Sequence, residues 1–338
     1  MSTVQNNQKP ADNSFAPSFE ERTDLSGIKK TTDEIRNEIS KIIVGQQKMV
    51  DQLIAALLAN GHVLIEGVPG VAKTLTARLL ARVLSMDFSR IQFTPDLMPA
   101  DIIGTSVFNP DTTEFTFKEG PIFSNVVLVD EINRSPAKTQ AALFEVMQEM
   151  QVTVDGKTYE MARPYFIMAT QNPIEHEGTY KLPEAQMDRF LFKIEVPYPN
   201  LEEETDILEG FHQRKNVNDP GLLDPIVSAE EIVKNQETVS VVHVDKSLMK
   251  YIAEIVQYSR NDSAIYIGAS PRASVFIMRA SQAWAAMHGR DFVIPEDIQT
   301  MIYPVLHHRI ILTPEKEMEG LDEKKVIKRL LEKVEVPR

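Results

Sequence analysis

The stretch Gly67-Val-Pro-Gly70-Val-Ala72-Lys73-Thr74 constrains this chain more than any other feature. A short apolar run around Val63–Ile65 leads into it, and a helical pattern from Thr74 to about Met86 follows. That order is strand, loop, helix. The loop nearly fits G-x-x-x-x-G-K-[ST]. In such a loop, backbone N–H groups curl around phosphate oxygens at a helix N-terminus. The lysine reaches the β- and γ-phosphates and the hydroxyl holds Mg²⁺. The stretch therefore predicts a nucleotide site built on Gly67, Val68, Pro69, Gly70, Val71, Ala72, Lys73, Thr74 and Leu75. An ordinary strand-to-helix turn is the alternative reading.

One position departs from the pattern, because Ala72 stands where glycine is usual. A Cβ makes positive φ costly, so Ala72 is expected at negative φ.

A second apolar run, Val126–Val129, ends in Asp130-Glu131. So apolar a strand belongs inside a parallel sheet, with Asp130 at the carboxyl edge beside the phosphate loop. Asp130 and Thr74 are the expected metal residues, and Glu131 would position or deprotonate the attacking water. A strand followed by a solvated acidic turn is the plainer alternative. A third run, Tyr165–Ala169, leads to Asn172-Pro173. If its strand lies between the two motif strands, Asn172 sits near the γ-phosphate; otherwise Asn-Pro is simply a turn pair.

Two arginines are candidates. Arg189 follows Asp188 after a short helix, and an arginine there can stabilise a transferring phosphoryl group. A weak surface pair with Asp188 is the alternative. Arg272 follows Ser270-Pro271 at the start of a long helix, a cation against the helix dipole. A nearby anion such as a nucleotide phosphate would resolve that conflict, and so would solvation.

At about 150 residues per domain, 338 residues suggest two domains. Residues 1–25 lack apolar periodicity and read as a disordered tail. Residues 26–199 alternate strands and helices, which implies a covered, mostly parallel sheet. Residues 200–338 read as helices at 201–213, 229–236, 245–260, 271–288, 295–303 and 322–334. Asn60-Gly61 would stop a helix over 46–59. Ser135 would cap a helix over 136–150, and Asp155-Gly156 would turn a hairpin. The absence of cysteine excludes disulfides and thiolate chemistry. The net charge of −13 argues against a protein that tracks nucleic acid. No run reaches the roughly 18 apolar residues of a bilayer span, and no signal-peptide pattern opens the chain. A cytoplasmic address is the expectation. His176-Glu177 lacks the HExxH spacing, and His307-His308 reads as packing, not a metal site.

Taken together, these residues resemble the MoxR family of AAA+ ATPases. Gly67–Thr74 looks like its Walker A segment, in a form that commonly carries alanine at the place of Ala72. Asp130-Glu131 match Walker B, Asn172 sensor 1, Arg189 the arginine finger and Arg272 sensor 2. More specific stretches match as well: Val44-Gly45-Gln46, Phe93–Asp101, Glu131–Gln140, Gln171–Pro173, Glu177–Tyr180, Leu182–Gln186 and His308–Ile310. The resemblance implies an αβα core with a five-stranded parallel sheet and a C-terminal helical lid. It implies an insertion hairpin within Thr105–Phe117 and an extra helix near 229–236. It implies Val44 and Gly45 near the adenine, ATP and Mg²⁺ as cofactors, and assembly into hexameric rings with Arg189, and Arg272 in one arrangement, acting on a neighbour's nucleotide. Such proteins act as chaperones that remodel, mature or activate protein complexes, sometimes in cofactor or metal insertion. They often work with a partner carrying a von Willebrand factor A domain. The competing functions are a nucleic-acid motor, a metal-chelatase ATPase subunit and a nucleotide-gated scaffold without useful turnover.

Overall fold

The computed structural model describes residues 23–111, 113–173, 180, 182–215, 217 and 219–337. Most of the expected tail and the segment Glu177–Thr179, with His176, lie outside the described residues. Eleven strands are described: β1 (Val63–Gly67), β2 (Phe88–Gln92), β3 (Gly104–Asn109), β4 (Glu114–Glu119), β5 (Val126–Asp130), β6 (Gln151–Val154), β7 (Lys157–Glu160), β8 (Phe166–Gln171), β9 (Phe192–Val196), β10 (Ile265–Ile267) and β11 (Ile311–Leu312). The helices are α1 (Ser26–Ser40), α2 (Gln47–Leu58), α3 (Lys73–Val83), α4 (Pro99–Ile103), α5 (Ala137–Glu149), α6 (Glu184–Met187), α7 (Leu201–Gln213), α8 (Ala229–Ser240), α9 (Lys246–Asn261), α10 (Pro271–Met287), α11 (Pro295–Leu306), α12 (Pro314–Met318) and α13 (Glu323–Lys333).

The central sheet has five parallel strands in the order β2-β5-β8-β1-β9. Both of its faces are buried, so its inner strands are continuously apolar. Val63 and Ile65, Val126 and Leu128, Phe166 and Met168 face one apolar cluster. Leu64, Val127, Val129, Ile167 and Ala169 face the other. The first cluster continues without a break through α1, α2 and α3 into α10 and α11, so the helical region shares a core with the sheet. Leu25, at the end of the expected tail, is itself buried there.

The α/β pattern holds from β1 to β9, and among the described residues after Val196 there are helices and one short antiparallel pair, β10 with β11. The expected hairpins are present. β3 and β4 form the insertion, and β6 and β7 turn at Asp155 (φ 51°) and Gly156 (φ 77°), both left-handed as a type I′ turn requires. Phe117 of β4 packs on Tyr159 of β7 with ring centroids 4.4 Å apart, which ties the two hairpins together.

One capping expectation fails. Pro136, not Ser135, is the N-cap of α5, because the first helical N–H groups bond to the Pro136 carbonyl. Ser135 instead closes the turn Ile132–Arg134, and its own carbonyl accepts from the Gln140 amide. Asn60 does end α2, at φ 49°.

Candidate active site

The strand order decides what meets what. β8 lies between β5 and β1, so the ends of three adjacent strands bring Asn172, Asp130 and the loop after Gly67 to one edge. A cleft of about 380 Å³ opens there, lined by Pro69, Gly70, Ala72, Lys73, Thr74 and Leu75 from the loop and α3, and by Asp130, Glu131 and Asn172. An apolar cleft of about 290 Å³ shares Gly70, Ala72 and Leu75 with it. Val44, Val71, Ile207 and Phe211 are among its walls. A polar pocket continuous with an apolar one suits a phosphate chain attached to a purine, at ordinary ligand-site size.

The loop is built as a cradle. Gly70 stands at φ 89°, a region cheap only for glycine, and a Cβ there would meet nothing within 4 Å. The Lys73 amino group donates to the Gly67 carbonyl, across the width of the loop. Val68 packs against the sheet cluster. Gly45 is also left-handed, at φ 73°, and lies against α7. A Cβ there would stand 2.5 Å from the Glu203 carboxyl carbon, so glycine lets the loop at Val44 and Gly45 approach that helix.

Ala72 contradicts its expected negative φ, since the structure has it left-handed at φ 60°, ψ 18°. The first turn of α3 explains why. The Ala72 carbonyl accepts from both the N–H and the hydroxyl of Thr76 (2.9 and 3.0 Å), and the methyl packs on the apolar cluster. These contacts offset a left-handed cost of about 1–2 kcal/mol for a residue with a Cβ. Ala72→Gly is therefore expected to stabilise the fold by roughly 0.5–1 kcal/mol with nucleotide affinity kept. Thermal or denaturant unfolding checks this, and a lower stability would contradict it.

Thr74 Oγ1 lies 3.4 Å from Asp130 Oδ2. These are two hard oxygen donors, one at a helix start and one at a strand end, the donor chemistry of a Mg²⁺ site that keeps waters and takes phosphate oxygens. Among the described residues no cluster of three or more His, Cys, Asp or Glu could cage a metal without a phosphate. The residues present fit Mg²⁺ bound with a nucleotide.

Glu131 is held in a left-handed conformation, φ 57°, ψ 52°. Its N–H donates to Thr170 Oγ1 (3.0 Å), whose hydroxyl donates to Asp130 Oδ1 (3.1 Å). Backbone strain of this kind persists where neighbours over-determine it, and clusters at functional sites. The Glu131 carboxylate accepts from Gln92 Nε2 (2.7 Å) and lies 3.2 Å from Arg134 Nε. Arg90 Nε donates to Asp130 Oδ2 at 2.6 Å. Arg90, Gln92 and Thr170 all line the cleft, yet sequence reading missed them. Arg90 and Gln92 stand on β2, an edge strand in which only Ile91 is buried, so no apolar run marks it.

Neither Arg189 nor Arg272 lines this chain's own cleft. A guanidinium N–H of Arg189 donates to the Phe144 carbonyl in α5, and its charge lies 5.8 Å from the Phe144 ring centre. The surface pair with Asp188 is not its contact. Asp188 turns instead to Arg309 (2.8 Å) and Arg272 (3.5 Å). Asp188 is thus the nearby anion that Arg272 needs at the start of α10. His307 stacks on Tyr303 at 4.6 Å, and burial lowers its pKa to about 4. His308 is buried beside Arg309, which with desolvation pushes its pKa well down. Both histidines are packing residues, as their sequence context suggests.

The chain matches the model of the ATPase family associated with various cellular activities (AAA) over residues 62–192, and the AAA lid domain model over residues 257–330. It is 44% identical to Chaperone MoxR1 of Mycobacterium tuberculosis over 98% of this chain and 90% of that protein. It is 47% identical to the uncharacterized protein YeaC of Bacillus subtilis, over 88% of this chain and 92% of that one. Protein MoxR of Methylorubrum extorquens is 30% identical over 87% and 91% of the two chains. A crystal structure of a candidate ATPase from Cytophaga hutchinsonii superposes with a TM-score of 0.86 at 42% identity, covering 93% of this chain and 97% of that one. With this cleft at the edge of a five-stranded parallel sheet and a lid beyond it, the chain belongs to the MoxR family of AAA+ ATPases.

Proposed function

We propose that this ATPase binds ATP with Mg²⁺ in the cleft beside Lys73 and uses its hydrolysis, as a ring of identical subunits, to remodel or mature partner protein complexes. Lys73 and the N–H groups of residues 70–75 hold the phosphates. Thr74 and Asp130 hold Mg²⁺, which when bound draws charge from the phosphate oxygens. Glu131 orients the attacking water and takes its proton. Asn172 holds the same water through its amide. Val44 and Gly45 flank the adenine. Arg189 and Arg272 complete a site by meeting the transferring phosphoryl group.

One observation carries the ring. The cleft collects the loop, Asp130, Glu131 and Asn172 from one chain, while Arg189 lies outside it, bonded to the Phe144 carbonyl of α5. Lys73 and Arg90 stand in the cleft of the single chain, and a second copy brings Arg189 to it. The chaperone name of the Mycobacterium relative supports protein clients. A partner with a von Willebrand factor A domain and a cytoplasmic address belong to the same reading. Among the described residues no helix is long and apolar enough to cross a membrane.

Sedimentation of Glu131→Gln with ATP and Mg²⁺ is the test. A closed ring, with six copies expected, should form with ATP and loosen without it. Affinity capture with the same variant should hold protein partners only when ATP is present. A monomer in every nucleotide state, or ATP-dependent capture of nucleic acid in place of protein, would contradict the reading.

A further inference from the structure

The side-chain contacts of Asp188 and Arg309 join three elements that are far apart in sequence. Arg309, just after α11, is almost wholly buried, with only 1% of its side chain exposed. Its Nε donates to Asp188 Oδ1 at 2.8 Å. Its two terminal nitrogens donate to the carbonyls of Asp188 (3.0 Å), Phe190, Leu191 (3.2 Å) and Val305, and to His308 Nε2 (2.8 Å). The guanidinium lies 4.9 Å over the Phe276 ring. Burial pushes its pKa down to about 10, which leaves it charged at neutral pH. Such a cation, with every donor engaged, fixes one Asp188 oxygen in place.

The other oxygen faces α10. Asp188 Oδ2 accepts from the hydroxyl of Ser270, the N-cap residue (3.0 Å), and lies 3.5 Å from the Arg272 guanidinium. Arg272 is 42% exposed along its side chain, and its ion pair with Asp188 is a loose one. One carboxylate oxygen is held by a buried arginine, and the other faces a partly exposed one.

We infer that Asp188, anchored by Arg309, is a positioning residue for Arg272. It sets the start of α10 and the direction of that guanidinium, and so where Arg272 meets a nucleotide phosphate. This rests on the phosphate role proposed above for Arg272. Asp188 touches no substrate itself. Its effect belongs to turnover more than to binding, because orientation errors of about 1 Å can cost on the order of a hundredfold in rate.

A double-mutant cycle in ATP turnover tests this, with KM read beside kcat on the assembled protein. Asp188→Asn should lower kcat roughly tenfold to a hundredfold, with KM changed by less than about threefold, since the groups that hold the nucleotide in the ground state stay in place. In an Arg272→Ala background the same change should lower kcat by no more than about twofold, since the residue it acts through is gone. Asp188→Asn leaves a buried cation unpaired, so its fold is checked by melting. The paired variant Asp188→Asn with Arg309→Gln removes both charges and keeps amide donors toward the carbonyls that Arg309 meets; it should pass the same melting check and show the same kcat loss. Multiplicative losses in the cycle, or a paired variant with full turnover, overturn the role of Asp188. An Arg272→Ala protein with full turnover overturns the assignment of Arg272, which is a separate failure.

Discussion

Glu131→Gln is expected to bind ATP as the parent does and to hydrolyse it about 10²–10⁴ times more slowly, the range for a lost general base. The amide keeps the shape of the side chain and can still meet Gln92 and Arg134, the neighbours of the carboxylate. What it loses is the capacity to take a proton from water. The strained backbone at Glu131 is held by Thr170 and not by its own side chain, so the site around it should stay assembled. Phosphate release under saturating ATP measures the loss. Turnover within tenfold of the parent would remove Glu131 from the chemical step.

Arg189→Ala is expected to bind ATP near normally and to lose about 10³–10⁵ in turnover, the range for an arginine that stabilises transition-state charge. Contacts made mainly in the transition state affect rate more than binding. Mixing distinguishes a neighbour's site from the chain's own. In a mixed ring, an Arg189→Ala subunit keeps its Glu131 and can take Arg189 from a Glu131→Gln neighbour. Activity should therefore return, rising and then falling with the mixing ratio. If subunits exchange and no activity returns, Arg189 does not act across subunits. If Arg189→Ala alone is fully active, its bond to the Phe144 carbonyl is its whole role.

Much of this site was legible in the sequence because its main parts are local. The spacing of Gly67 to Thr74, and an apolar strand ending in two acids, each place their chemistry within a few residues. The edge strand β9 alternates buried apolar residues with Lys193 and Glu195, and the inner strands β1, β5 and β8 announce themselves as apolar runs, since both sheet faces are covered. β2 does not, because it is an edge strand whose alternate residues Arg90 and Gln92 face the cleft. Thr170 was hidden for another reason: within an apolar strand a threonine reads as β-former, and only the register beside Asp130 reveals its hydroxyl as a bridge. α1 also went unread, although Ile28, Thr32, Ile35 and Ile39 line one buried face, because polar residues fill most of its length. The αL backbone of Ala72 could not be seen, since propensity argues against it and only the bonds from Thr76 explain it. The Asp188–Arg309 contact spans 121 positions and leaves no spacing to find.

In the proposed reading, one cleft holds the nucleotide through Lys73 and breaks it down through Glu131. Equilibrium affinity for one fluorescent ATP analogue, measured side by side for Lys73→Ala and Glu131→Gln with Mg²⁺, tests it most directly. Lys73 meets phosphate in the ground state, and a lost hydrogen bond to a charged group costs about 1.5–3 kcal/mol, or roughly tenfold to more than a hundredfold in affinity. Lys73→Ala should therefore bind that much more weakly, while Glu131→Gln stays within about threefold of the parent, since its part falls in the chemical step. Equal losses of affinity in the two variants, or none in Lys73→Ala, would contradict these roles for Lys73 and Glu131.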